Sequence, residues 1–237
     1  HIAPSPWQYW NTANEVVIST LSPTPVTVTL KKSDGTLLTN LTVIESTPQS
    51  YRFAGTIAAS PRNQINQIYN DRGLIIEASA PVLVNYRNIA SDVAGATTTT
   101  IKGNASLLSF GEEGEGFEFR VGYYRTNFQG LSGGQPVYSV MAIQNNTTVT
   151  LPAGPIVLNS GQSYLFEAPI GSLVTADKKV VMTVGSYGDT PQACGGSGED
   201  GTVDQLAPIS SLGDKYMVVR GEGAVGNGAT HPEQTLI

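Results

Sequence analysis

Residues 14–35 read NEVVISTLSPTPVTVTLKKSDG, and residues 136–154 read PVYSVMAIQNNTTVTLPAG. Each stretch holds two short runs in which β-branched and apolar residues alternate with polar ones, the period of two that a half-buried strand requires. Prolines or a polar pair part the two runs, and glycine closes each stretch. The question these stretches raise is whether the chain is built twice on one plan.

Working outward, further landmarks recur in the same order. VTVTL (26–30) answers to TTVTL (147–151), SYRF (50–53) to SYLF (163–166), and GLIIEASAPVLVNY (73–86) to GSLVTADKKVVMTV (171–184). LLSFGEEGEGFEFRVG (107–122) then answers to LAPISSLGDKYMVVRG (206–221), with Phe117 and Tyr216 in the same place. Shared composition does not preserve order, so the pattern reads as an internal duplication. The fold expected is all-β: two tandem related β-sandwich-like modules over residues 1–122 and 123–221. Residues 222–237 would supply the first strand of an incomplete third module, and the chain is expected to continue into further modules.

Turn chemistry agrees with that reading. Asp34-Gly35, Asp71-Arg72-Gly73 and Asn159-Ser160-Gly161 stand between the apolar runs, where hairpins need positive φ. Helical periodicity is scarce. The best window is SPRNQINQIYND (60–71), with Pro61 at a first helical position and Ile65 and Ile68 facing inward, which makes one short helix or turn.

Composition excludes several functions. With 13 Lys and Arg against 19 Asp and Glu the net charge is −6, and no basic block exists to neutralise phosphates, so nucleic acid is not an expected partner. The longest apolar runs are interrupted by Glu77 and Pro81 and fall short of the ~20 residues that span a bilayer as a helix. The 26 glycines and 14 prolines are spread along the 237 residues as turn punctuation. A single cysteine, Cys194, makes no internal disulfide.

No catalytic constellation is legible. The two histidines, His1 and His231, stand at the extremes of the chain, and no Gly-x-Ser-x-Gly elbow occurs. Cys194 lies in a glycine-rich stretch without a basic flank, which reads as an incidental thiol. Acids gather twice: Glu112, Glu113, Glu115 and Glu118 in GEEGEGFEF, then Asp189, Glu199, Asp200 and Asp204 in the matching region of the second copy. Glycosidases use such pairs, but on rigid supports beside aromatic residues, and both tryptophans lie elsewhere. Hard cations do accept carboxylates from glycine-containing turns, so Asp189, Glu199, Asp200 and Asp204 are the candidate calcium ligands, with solvated acidic loops as the alternative. No other cofactor is expected.

The N-terminal HIAPSPWQYWN concentrates Trp7, Tyr9 and Trp10. These are the candidate ligand-binding residues, able to stack on a sugar ring or a partner protein, and packing at a sandwich end is the alternative. Asn40, Asn104, Asn145 and Asn146 satisfy the glycosylation acceptor pattern, which matters only in a eukaryotic secretory route.

Three stretches carry a resemblance: NEVVISTLSPTPVTVTL (14–30), LIIEASAPVLVNYR (74–87) followed by Ser91 and Asp92, and DQLAPISSLGDKYMVVRG (204–221). Together they resemble the IgGFc-binding-protein N-terminal-type domain, found in an animal mucus protein and in large secreted surface proteins of gliding Bacteroidota exported by type 9 secretion. The scarcity of cysteine favours the bacterial branch. The resemblance implies a non-enzymatic, extracellular adhesin or display segment of a larger cell-surface protein. Its implied partners are glycans, proteins or surfaces met through loops, and the secretion and anchoring machinery. A stalk spacer and a polysaccharide hydrolase are the rival readings.

Overall fold

The computed structural model describes residues 1–6, 13–60, 64–89, 105–123, 136–186, 202–215 and 217. The protein is all-β. Its first two layers are built from residues 13–108. In one, β2 (Ala13–Ser19) is the centre: β5 (Gln49–Ala54) lies on one side, β9 (Leu83–Ile89) on the other, and β10 (Ala105–Leu108) beyond β9. In the other, β3 (Val26–Lys32) is flanked by β4 (Leu37–Val43) and β8 (Leu74–Ala78). All of these pairs are antiparallel.

Alternation decides what these sheets bury. Val16 and Ile18 of β2, Val28 and Leu30 of β3, and Val84 and Tyr86 of β9 share one core between the sheets. Each large aliphatic side chain buried there contributes about 1.5–3 kcal/mol. Glu15 points to the outer face of β2, yet it is only 4% exposed. It stands directly opposite Arg52 and Arg87 on the neighbouring strands. Both guanidiniums donate to its carboxylate, Arg52 Nε at 3.0 Å and Arg87 Nε at 2.5 Å, so the arginine stems cover a charge that alternation leaves outside.

The second set repeats the scheme. β12 (Val137–Ala142) takes the place of β2, between β15 (Ser163–Phe166) and the second half of β16 (Leu173–Ser186), with β17 (Thr202–Leu206) beyond. β13 (Thr147–Leu151) lies between β14 (Gly154–Leu158) and the first half of β16. The register also repeats. Val28 pairs with Ala78, and Val149 with Ala176. Val16 faces Tyr51 and Tyr86, and Val140 faces Tyr164 and Met182.

One difference is instructive. The first set separates β8 from β9 by residues 79–82, which include Pro81, whereas the second runs through residues 177–179 as one strand, so that β13 and β12 pair along the two halves of β16 in a single continuous sheet. From Ala78 to Val84 the chain is two residues longer than from Ala176 to Val180, the structurally matching positions. The strand registers keep the offset between 73–86 and 171–184 through Ala78 and shift by two residues afterwards.

The two sets interlock through strands that leave their own neighbourhood. β7 (Ile68–Tyr69), in the connection between β5 and β8, pairs with the outer edge of β15. β11 (Gly116–Arg120), which follows β10, pairs with the first half of β16. Val203 of β17 joins the core of the first set. At the junction Gly161 adopts φ +78, and a Cβ there would stand 1.9 Å from the Ser33 carbonyl oxygen, so only glycine admits this approach.

β1 (Ser5–Pro6) pairs in parallel with β6 (Ala59–Ser60). The helix or turn expected over 60–71 is, in its described part, a turn leading into β7, with Ile68 44% exposed rather than inward. Residues 222–237, expected to open a third module, lie outside the described residues.

Candidate functional site

Of the sequence-nominated ligands, Trp7, Tyr9, Trp10, Asp189, Glu199 and Asp200 lie outside the described residues, as do Cys194 and His231. Asp204 is described, and it lines a surface hollow. This cavity of about 340 Å³ is walled by Val184, Val203 and Leu206, with Gly122 and Tyr123 across from them. The Tyr123 hydroxyl lies 3.0 Å from Thr202 Oγ1, which lies 3.1 Å from Ser186 Oγ. Partial burial against these apolar walls raises the Asp204 pKa, and the Gln205 backbone N–H, donating to Oδ1 at 2.8 Å, opposes the rise. Among the described residues no group of three or more His, Cys, Asp or Glu is placed to hold a metal ion.

The first acidic cluster is described in full. Glu112 and Glu113 sit on a 3-10 turn, Gly111–Gly114, that carries the chain from β10 to β11. Glu115 is drawn aside, its Oε1 2.9 Å from His1 Nδ1, and Glu118 points outward from β11. The acids thus fan out along a surface rather than converging on one point.

Two contacts brace that surface. The Phe110 N–H donates to Gln205 Oε1 at 2.8 Å, and Ser211 Oγ donates to the Glu113 carbonyl at 2.9 Å. Ser211 belongs to a second 3-10 turn, Ile209–Ser211, that packs on β11. Three large apolar side chains on these segments stay in water: Phe110 at 45% exposure, Phe117 at 49% and Leu212 at 52%. Phe117 stays outside although Phe119, two residues on, is fully buried in the second core. These exposed apolar side chains stand on the same chain segments as the exposed acids Glu112, Glu113 and Glu118, and large apolar side chains left in water among polar ones are the surface character of an interaction site.

The four acids of this region are legible in the sequence, whereas the exposure of the phenylalanines is not. Phe117 was recognised only as a landmark of the repeat. Alternation gives Phe117 and Phe119 the same face within a strand, and only the register change between Gly116 and Glu118 separates them.

A family model described as IgGFc binding protein matches residues 115–235, just over half of the chain. Its first matched residue immediately precedes β11, so the match takes β11 together with the sheet it pairs into. No curated protein and no solved structure matches. On the strength of the family match, the chain belongs to the IgGFc-binding-protein family.

Proposed function

We propose that this chain is a non-enzymatic adhesion or display segment of an extracellular, cell-surface protein, and that it recognises its partner through the exposed side chains of Phe110, Phe117 and Leu212. Family membership makes it a surface or secreted binding module. No helix among the described residues is long and apolar enough to cross a membrane. The observation that supports the finer reading is three large apolar side chains about half exposed, on segments whose backbone is braced where the Phe110 N–H donates to Gln205 and Ser211 donates to the Glu113 carbonyl. Large apolar side chains grouped on one exposed surface mark interaction sites. The exposed acids on the same segments favour a protein surface of positive potential over a neutral glycan.

The test is a binding panel of extracellular proteins and glycans with the intact chain, repeated with Phe117→Ala and Leu212→Ser. A saturable partner lost by at least tenfold in both variants supports the reading, since buried aromatic anchors dominate interface energies. Binding that ignores both substitutions contradicts it.

A second reading, the stalk spacer, is favoured by the interlock of β7 and β11, which stiffens the link between the two sets of strands. It predicts no saturable partner in the panel. The duplication of one strand plan, with its units over residues 1–122 and 123–221, is part of this proposal, as is calcium on Asp189, Glu199, Asp200 and Asp204. A melting temperature raised by millimolar calcium and lowered again by a chelator supports the ion site, and an unmoved one removes it.

A further inference from the structure

We infer that the hollow walled by Val184, Val203, Leu206, Gly122 and Tyr123 is a binding site for an organic amine, with Asp204 receiving the ammonium group and the apolar walls receiving its stem. The inference is independent of the Phe110, Phe117 and Leu212 reading.

The hollow has a structural cause. One cross-strand row of the first set reads Ala105, Asn88, Asn14 and Phe53, and the matching row of the second reads Asp204, Val184, Tyr138 and Phe166. In the first set this end of the core is filled from the connection between β5 and β8. The Asn14 side-chain amide donates to the Gly55 carbonyl at 2.8 Å, the Tyr86 hydroxyl lies 3.1 Å from the Ala58 carbonyl, and Ala58 is fully buried. That connection runs over residues 55–73. β15 and β16 are joined by residues 167–172 alone, which leaves no counterpart of residues 55–60.

The second set records the missing filler in two ways. Tyr138, in the place of Asn14, keeps a buried hydroxyl with no hydrogen-bond partner among the described residues. Beside its cross-strand neighbour Val184 the core keeps about 340 Å³, a volume that suits a small molecule better than a single water.

Chemistry selects the ligand. Asp204 is the one charged residue among the described walls, and no ion pair among the described residues engages it. Its carboxylate accepts the Gln205 N–H at 2.8 Å, one bond of the roughly four that its two oxygens can take. Partial burial penalises that charge, so a cation reaching it gains more than on an open surface. Thr202, two residues away on the same face of β17, and Tyr123 add hydroxyl oxygens 3.0 Å apart. Calcium takes about six to eight oxygens and finds few here, whereas an ammonium needs three acceptors and leaves apolar walls to its stem. A free alkyl or aryl amine and the lysine side chain of a partner protein both carry this chemistry.

The experiment is calorimetric titration of the intact chain with phenethylamine, with its neutral counterpart phenethyl alcohol, and with an Nα-acetyl-lysine amide. Phenethylamine should bind saturably, at least tenfold more tightly than the alcohol. Asp204→Asn, which keeps the shape and removes the charge, should weaken the amine at least tenfold, and Glu77→Gln, on a sheet of the first set, should leave it unchanged. Lysine amide binding as strongly as phenethylamine supports the site with a partner's side chain as its source, and weaker binding supports it with a free amine.

The alcohol comparison uses the unaltered chain, so it stands even if Asp204→Asn perturbs the fold. No saturable binding of the amine, equal binding of amine and alcohol, or binding indifferent to Asp204→Asn overturns the inference. Displacement of the amine by equimolar calcium overturns it as well and assigns Asp204 to the ion site.

Discussion

Gly161→Ala is the substitution that most sharply probes how the two sets of strands meet. Gly161 adopts φ +78, and a Cβ there would lie 1.9 Å from the Ser33 carbonyl oxygen and 2.8 Å from its carbon. The obstacle is backbone, and it is anchored: the Ser33 N–H donates to the Gly73 carbonyl at 3.0 Å, and the Gly161 N–H donates to the Ala142 carbonyl at 2.8 Å. No side-chain rotation relieves the clash.

Gly35 supplies the control, since its φ is +86 and nothing lies within 4 Å of its Cβ position. Left-handed backbone costs an alanine about 1–2 kcal/mol at either site. Forced displacement at the junction adds about 1–3 kcal/mol at Gly161 alone. With a urea slope of about 3 kcal/mol/M for a chain of this size, Gly35→Ala lowers the unfolding midpoint by about 0.5 M. Gly161→Ala lowers it by about 1 M or more on the same slope. Equal shifts for the two variants would refute the close approach.

Three further outcomes follow from the same structure. Asp204 is less acidic folded than unfolded because burial penalises its charge, so its favourable contribution exists at low pH and is lost as pH rises through the folded pKa. Asp204→Asn accordingly raises the urea midpoint at pH 7, and the gain shrinks below about pH 4, where aspartate is protonated in both states. The Tyr138 hydroxyl is buried without a hydrogen-bond partner among the described residues, and burial pushes its pKa up to about 12. Tyr138→Phe is then neutral or stabilising by about 1 kcal/mol, and it lessens the loss of stability above pH 10, where unfolded tyrosine ionises but the folded side chain resists. Glu15→Gln breaks the Arg52 and Arg87 pairing across three strands and lowers stability by about 1–3 kcal/mol, read by the same denaturation.

Much of this fold was legible because alternation and turn chemistry act locally. The runs that became β2, β3, β12 and β13 carry their period in the residues themselves, and Gly35, Gly73 and Gly161 all take the positive φ expected of them. Partnership is not local, and there the sequence was silent. GFEFR stands in the sequence only as part of a repeated landmark, and nothing in it says that β11 pairs forward with β16 instead of folding back on β10. Ile65 and Ile68 share a helical spacing, yet Ile68 enters β7, because the open edge of β15 recruits the segment. Glu15 belongs on the wet face by its parity, and only the arginines brought opposite by register bury it.

The site followed the same division. Acidic composition drew attention to Glu112, Glu113, Glu115 and Glu118, but exposure of Phe117 depends on a register change that single-strand parity does not contain.

The account turns on β11 belonging to the sheet of the second set, and a cross-strand disulfide reads that directly. Glu118 and Thr175 are direct partners, with Cα atoms therefore about 4.5–5.5 Å apart, within disulfide reach. In a Cys194→Ser background, Glu118→Cys with Thr175→Cys should oxidise in air to one intramolecular crosslink, identified by mass spectrometry of the joined peptides. Glu118→Cys with Ser106→Cys, which tests a fold-back of β11 onto β10, should stay reduced. A crosslink to position 106 with none to position 175 would place β11 in the first set and contradict the interlocked arrangement.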